Sequence, residues 1–247
     1  MHHAVTAETT CFVRLFSFLP GQIMARVQDQ SPQLLLSLGT QLGHLCKTLE
    51  PIKHRAAQRY LKWDLKQYRW IEKHISCLNK LEDKSCIEFF LHRFTAHAAA
   101  VLPTLRQSLI HNDVNDYNTI VTDEACVSGF IDFGDTVETA TVCELAIALT
   151  YAMLDKPEPI AAAVTIIKGF HIVYPLQDAE IDILFDLICI RLCISVVNSA
   201  LRKLENPDDP YLVISERPAW ELLRKFRVMN IQSVQDKFRE ACGCRHP

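Results

Sequence analysis

No stretch of the 247-residue sequence reaches the roughly 18 uninterrupted apolar residues that crossing a bilayer requires. The nearest candidate, 183–197, carries Asp186 and Arg191 and reads as a buried helix. An excess of positive charge is also missing: 26 Lys and Arg stand against 29 Asp and Glu, a net charge of -3. That balance leaves no electrostatic footprint for nucleic acid, and no basic run marks a membrane surface. Neither a nucleic-acid nor a membrane partner is expected. Among the ten cysteines there is no Cys-x-x-Cys pair. No secretory leader is expected, since Met1-His2-His3 enters a polar stretch and the apolar segment 11–19 is broken by Arg14 and stopped at Pro20-Gly21. Cys143, Cys189 and Cys193 lie within apolar runs, where a thiol behaves as a small hydrophobe, so reduced cysteines in a cytoplasmic protein are expected. Glycine is scarce and absent before Gly21, and the first lysine is Lys47.

What is present is the balance of an ordinary globular chain, 49% hydrophobic and 22% charged, long enough for one sizeable domain or two small lobes. Residues 11–16 are aromatic and β-branched and read as a strand, followed by a turn at Leu19-Pro20-Gly21, while residues 1–10 fit no strand. From Ser31-Pro32 the leucines 34, 35, 38, 42, 45 and 49 recur at helical spacing until Pro51. A weaker helical stretch is expected over 60–81, with Trp63 and Trp70, and a stronger one over 85–101. Periodicity then fails over 108–118. Residues 119–121 and 127–131 are two β-type runs parted by Asp123-Glu124, as in a hairpin. Helices are expected again over 142–154, 159–174, 179–204 and 217–240.

The polar break in the middle holds the chemistry. His111-Asn112-Asp113-Val114-Asn115-Asp116-Tyr117-Asn118 is followed fourteen residues later by Asp132-Phe133-Gly134-Asp135. Phosphoryl transfer asks a protein to place an acceptor hydroxyl, accept its proton and hold divalent metal against phosphate. A His-x-Asp-x4-Asn loop ahead of a hairpin ending in Asp-Phe-Gly supplies those parts. Asp113 is the candidate base, and Asn118 and Asp132 are candidate Mg²⁺ ligands, because hard Mg²⁺ takes one or two protein oxygens and completes its shell with water and phosphate. Chance produces the loop spacing roughly 0.02 times per chain of this composition, and the trailing hairpin lowers that further. An Asx-rich turn is the alternative reading of the loop. His111 reads as a brace of the loop. Asp116, Asp135 and Glu138 could meet ammonium groups of a cationic substrate, or could simply be solvated. Glu144 opens an apolar helix, where a carboxylate suits the N-terminal dipole, and it could support the loop.

The HNDVNDYN loop (111–118), the SGFIDFGD hairpin end (128–135) and the FVRLFSFLPG segment (12–21) together resemble the aminoglycoside-phosphotransferase and choline-kinase superfamily. The resemblance runs from about Phe12 to about Glu240 and includes the leucine-rich helix and the WDLKQ segment at 63–67. It implies an α+β, protein-kinase-like large lobe, mostly helical, with its catalytic loop and β-hairpin at 108–135. Residues 1–20 would be the remnant of a small lobe and hinge, and 21–247 the large lobe. It further implies that Ser17, Phe18 and Leu19 form a hinge whose backbone reads a nucleotide base, and that Asp113, Asn118, Asp132 and His111 take the roles named above. The branch most resembled phosphorylates the side-chain hydroxyl of 5-hydroxy-L-lysine and prefers GTP to ATP. A nucleotide, Mg²⁺ and a small hydroxylated amino acid are thus the implied ligands.

Against that pattern, the strand lysine and Gly-rich loop that hold phosphate in the small lobe have no counterpart here, and Arg14 is the only cation ahead of the hinge. An incomplete chain is the expected reason, with a catalytically inactive kinase-like binding or regulatory protein as the rival reading. A hinge strand 11–16 without neighbours would present an unpaired edge.

Overall fold

A computed structural model describes residues 2–5, 10–13, 15–123, 126–206 and 216–243. Strands β1 (His2–Val5) and β2 (Thr10–Val13) form an antiparallel pair at the start. The strand expected at 11–16 is therefore shorter, and the stretch that fitted no strand supplies its neighbour. Arg14 lies outside the described residues, as does Glu124 of the expected hairpin turn.

Helix α1 (Pro32–Leu49) follows the leucine period closely. Ser31 caps it, its Oγ accepting from Leu34 N at 3.2 Å, and Pro32 sits in the first turn where no amide is needed. The helix stops at Glu50, ahead of Pro51. Its buried face crosses helix α4 (Pro159–Val173) at two glycines. A Cβ on Gly39 would lie 2.0 Å from Ile166 O, and one on Gly169 would lie 2.2 Å from Leu36 O. Backbone meets backbone there, which only glycine permits.

Residues 60–81 are not the expected helix. They form two 3₁₀ segments, Leu65–Trp70 and Glu72–Cys77. The buried residues Leu65, Tyr68 and Ile71 recur every third position, a period that fits three residues per turn rather than 3.6. Helix α2 (Leu81–His97) follows, starting and ending about four residues earlier than its apolar pattern suggested.

The middle of the chain holds four short strands: β4 (Gln107–Ile110), β5 (Thr119–Asp123), β6 (Cys126–Phe130) and β7 (Val137–Ala140). β5 and β6 are the expected hairpin, and the two-residue β3 (Gln22–Ile23) adds to the outer side of β5. β4 and β7 pair antiparallel in a separate two-stranded sheet that the sequence did not announce.

Helices α3 (Val142–Ala152) and α5 (Asp178–Glu205) make the centre of the body, with α2 on one side of α5. From Ile183 to Val197 nearly every residue of α5 is buried, Asp186 and Arg191 included. The single helix expected over 217–240 is two, α6 (Glu216–Val228) and α7 (Ile231–Ala241). Asn230 separates them by capping α7, its Oδ1 accepting from Ser233 N at 3.1 Å. Cys46, Cys143, Cys189 and Cys193 are buried thiols whose pKa burial pushes well up. No described helix is long and apolar enough to cross a membrane.

Candidate active site

Two strand pairs build the site. The loop 111–118 leaves β4 and enters β5, and the turn 131–136 leaves β6 and enters β7. Pairing β5 with β6 sets Thr119 opposite Phe130, and pairing β4 with β7 sets Ile110 opposite Val137. Both ends of the loop are thereby tied to both ends of the turn, and Ile131 N donates to Asn118 O at 2.9 Å to close the gap. The three residues singled out for chemistry, Asp113, Asn118 and Asp132, lie on these two facing connections.

Glu144, in the first turn of α3, holds the start of the loop. Its carboxylate accepts from the backbone N–H of His111, and from that of Asn112 at 3.2 Å. Just after those amides the chain turns at Asn112, which adopts a left-handed conformation, φ 68°, that asparagine tolerates. Burial lifts the Glu144 carboxyl to about 7, with the two amide donors opposing the rise. His111 contacts both the loop and the turn. Its Nδ1 accepts from Asp113 N at 3.3 Å and its Nε2 donates to Ile131 O at 2.8 Å, which selects the neutral Nε2–H tautomer. Burial lowers its pKa in keeping with that. Its ring stacks on Phe133 with centroids 4.5 Å apart, so one side chain binds the loop to the turn.

Every oxygen of the Asp113 carboxylate is occupied. Oδ1 accepts from Arg191 Nη2 at 3.0 Å, and Oδ2 accepts from Asn115 Nδ2 at 3.1 Å and Asn118 Nδ2 at 3.0 Å. A carboxylate has about four lone-pair sites, so one is left for an incoming hydroxyl. The side chain is 26% exposed, which gives that hydroxyl a way in. Burial pushes the Asp113 carboxyl up, while the Arg191 guanidinium and the Asn115 amide pull it back down.

Asn115 shapes the rest of the loop, its Oδ1 accepting from Tyr117 N at 2.9 Å and Asn118 N at 3.0 Å. Asn118 spends its Nδ2 on Asp113, so the amide's Oδ1 points the other way. Asp132 is itself left-handed, φ 63°, and exposed, with Oδ1 accepting from Gly134 N at 3.3 Å. Among the described residues no donor reaches Asn118 Oδ1 or Asp132 Oδ2, and no cluster of three or more His, Cys, Asp or Glu could hold a metal unaided. Two free oxygens and no nitrogen or sulfur match a hard cation that takes most of its ligands from water and phosphate.

The remaining expectations divide. Asp135 comes close enough to act electrostatically on both His111 and Asp113. Asp116 has Lys156 as its charged neighbour, and its backbone O accepts from Ala25 N at 3.0 Å. Glu138 is already paired, by Lys53 at 3.4 Å and Gln58 Nε2 at 3.2 Å. Ser17 and Phe18 are exposed, while Leu19 lies against Gly129 of β6, where a Cβ would come 3.0 Å from Leu19 Cδ2. Segment 17–19 is thus anchored at Leu19 to the strand that leads into Asp132.

Two cations escaped the sequence reading. Arg191, on α5, is 1% exposed, yet it bonds Asp113, Trp63 O at 3.1 Å and the Tyr151 hydroxyl at 3.1 Å. Its guanidinium also lies over the Trp63 and Tyr151 rings, 4.8 and 5.4 Å from their centroids. A charge inside an otherwise apolar helix was the available signal, since Arg is almost never fully buried unless paired. Arg59, between α1 and α2, donates through Nη2 to Gly134 O at 2.6 Å and Thr136 O at 3.1 Å. Nothing in its sequence neighbourhood marks it.

A family model described as "Phosphotransferase enzyme family" matches residues 2–179. Hydroxylysine kinase of Bos taurus is 31% identical over 237 residues, 91% of this chain, and that of Mus musculus is 30% identical over the same length. This chain spans 63% of the length of each of those relatives. Among solved structures, an aminoglycoside phosphotransferase of Alicyclobacillus acidocaldarius superposes with a TM-score of 0.57 at 16% identity, over 92% of this chain and 70% of that one. A Plasmodium vivax ethanolamine kinase gives 0.58 at 12% identity, over 94% and 68%. The loop, the turn and the helical body that presents them make this chain a member of the phosphotransferase enzyme family.

Proposed function

We propose that the chain carries the catalytic half of a kinase that transfers the γ-phosphoryl group of GTP or ATP to the side-chain hydroxyl of 5-hydroxy-L-lysine. One observation supports this above the others: two antiparallel strand pairs set the loop of Asp113 and Asn118 against the turn of Asp132, with a lone-pair site left on the Asp113 carboxylate and no donor on Asn118 Oδ1 or Asp132 Oδ2 among the described residues. The acceptor class follows from the hydroxylysine kinases, about 30% identical across nine-tenths of this chain.

In this reading Asp113 receives the acceptor hydroxyl on its remaining lone pair and takes the proton as the oxygen attacks phosphorus. Arg191, Asn115 and Asn118 fix the carboxylate plane so that the hydroxyl has one direction of approach. Asn118 Oδ1 and Asp132 Oδ2 would hold Mg²⁺, which when bound neutralises charge on the phosphates. Glu144 and His111 keep the loop and the turn in register beneath. Segment 17–19, exposed at Ser17 and Phe18, is the proposed contact for the nucleotide base.

The test is Asp113→Asn and Asp132→Ala, assayed by transfer of labelled phosphate to 5-hydroxy-L-lysine. Asp113→Asn is expected to lower kcat by about 10²–10⁴. Turnover retained in both variants would remove the assigned roles. Calorimetric titration of the chain with Mg-GTP checks the donor side separately: no heat of binding with intact folding would favour a kinase-like binding protein.

A further inference from the structure

Most carboxylates around the loop and the turn are already matched. Glu144 takes two backbone amides, and Glu138 takes Lys53 and Gln58 from the strap, 53–66, that joins α1 to α2. Asp64 takes Lys66 at 3.0 Å and Thr139 at 2.9 Å, and Asp116 has Lys156 as its charged neighbour. Asp135 differs from all of these. It is half-buried, and among the described residues no hydrogen bond or ion pair reaches its carboxylate. A charge partly withdrawn from water and left without a partner is costly unless something outside the chain offsets it.

The elements on either side fix where Asp135 sits. β4 and β7 put Ile110 opposite Val137, two residues past Asp135, and His111 stacks on Phe133, two residues before it. The turn is thereby held against the start of the loop that carries Asp113. The residues that bracket Asp135 are fastened as well, since Arg59 donates to the carbonyls of Gly134 and Thr136. In keeping with this placement, the Asp135 charge is felt at both His111 and Asp113. Another way of meeting a cation beside the proposed base is closed. Trp63 and Tyr151 offer ring faces there, but the Arg191 guanidinium that holds Asp113 already lies over both, 4.8 and 5.4 Å from their centroids. A cationic acceptor must therefore look to a carboxylate, and in the proposed reaction Asp113 and Asp132 are committed to the hydroxyl and the metal.

We propose that Asp135 binds the ammonium group adjacent to the reacting hydroxyl of the acceptor, so that the site selects a 1,2-amino alcohol over a plain alcohol. This rests on the phosphotransferase reading above and names the feature of the substrate that is recognised. In 5-hydroxy-L-lysine the hydroxyl and the side-chain ammonium stand on adjacent carbons, so the group that holds one must lie next to the group that holds the other. Asp113 takes the hydroxyl and Asp135 the ammonium. A bond between two charged groups is shorter and stronger than one between neutral groups. The turn being fixed before binding, little ordering is required on capture.

The test compares wild type with Asp135→Asn on two acceptors, 5-hydroxy-L-lysine and 2-amino-5-hydroxyhexanoate, which carries a methyl group in place of the aminomethyl end. In Asp135→Asn the KM for 5-hydroxy-L-lysine is expected to rise about 10- to 100-fold, as for loss of a charge-assisted bond. The KM for the methyl analogue and the Mg²⁺ concentration giving half the maximal rate should stay as in wild type. A second readout needs no turnover: in calorimetric titration, wild type should bind 5-hydroxy-L-lysine at least tenfold more tightly than the analogue, and Asp135→Asn should bind the two alike. Equal rises in KM for both acceptors would reduce Asp135 to a structural part of the turn, and a raised Mg²⁺ requirement with both would make it a metal ligand. Either overturns the proposal. Phosphorylation of 5-hydroxy-L-lysine by Asp135→Asn at wild-type KM also overturns it, while leaving the kinase reading intact. A binding preference that Asp135→Asn abolishes, without any phosphorylation, upholds the ammonium contact and removes the kinase reading. Binding of neither compound, with no phosphorylation, removes the two together.

Discussion

Asp113 and Asp132 stand on neighbouring connections, yet the fold holds them in opposite ways. Asp113 is gripped from within, by a guanidinium that is 1% exposed and by two side-chain amides. Asp132 is presented outward, left-handed and exposed, with a single bond to the amide two residues on. The half that carries the proposed base is pre-organised by the core. The half that carries the proposed metal ligand is shaped by local turn chemistry, with Arg59 steadying the carbonyls behind it. The physical logic is that a proton acceptor must point one way before the acceptor arrives. A ligand to Mg²⁺ must instead stay open to water and phosphate.

That contrast can be broken by measuring stability on each side. The largest effect is expected for Arg191→Met, which leaves Asp113 half-buried without its counter-charge and Trp63 O without its donor. Removing one partner of a buried pair costs about 3–5 kcal/mol, and urea unfolding of the variant should show a loss of that size. A loss below about 1 kcal/mol would mean the base half is not held by the core at all.

Next in size is a pH effect under the loop. Burial raises the Glu144 carboxyl from 4.5 to about 7, so between those values the folded chain keeps a proton that the unfolded chain has released. Stability is therefore expected to fall as pH rises from about 5 to 7, by at most about 3 kcal/mol at roughly 1.4 kcal/mol per unit. Glu144→Gln should flatten this part of the curve, and an unchanged slope in the variant would show that other groups produce it.

On the metal side the effects shrink. Arg59→Gln is expected to cost less than about 1 kcal/mol, because both partners are exposed carbonyls and solvent replaces the donor. Asp132→Gly should change thermal stability within about 0.5 kcal/mol, since glycine accepts the positive φ without strain, while abolishing Mg²⁺-dependent nucleotide binding measured by calorimetry. A strongly destabilised Asp132→Gly would erase the distinction between the two halves.

Legibility in the sequence followed the same division. The body could be read because its helices obey a simple period: α1 begins and ends as Ser31, Pro32, the leucines and Pro51 indicate. The exceptions have physical reasons. Buried residues at every third position in 65–71 favour 3₁₀ geometry over an α-helix, and Asn230 cuts the last long helix by capping a new one. β4 and β7 went unseen because four residues carry too little pattern, and each strand takes its partner from about 30 positions away. The proposed site residues Asp113, Asn118 and Asp132 could be singled out because their spacing is local to one loop and one turn. Asp116 and Glu138 were legible only as acidic residues. Whether such a carboxylate is available depends on Lys156 in the one case and Lys53 in the other, which no local pattern predicts.

By itself the sequence determined which side chains could do the chemistry and in what order they come, since oxygen ligands, a candidate base and turn-forming residues are matters of composition at short range. Only the tertiary structure decided which charges are free. A buried arginine from α5 and an exposed one from the strap arrive at Asp113 and Gly134 from 78 and 75 residues away. Electrostatic partners are chosen by distance in space, and burial sets how strongly each pair is felt.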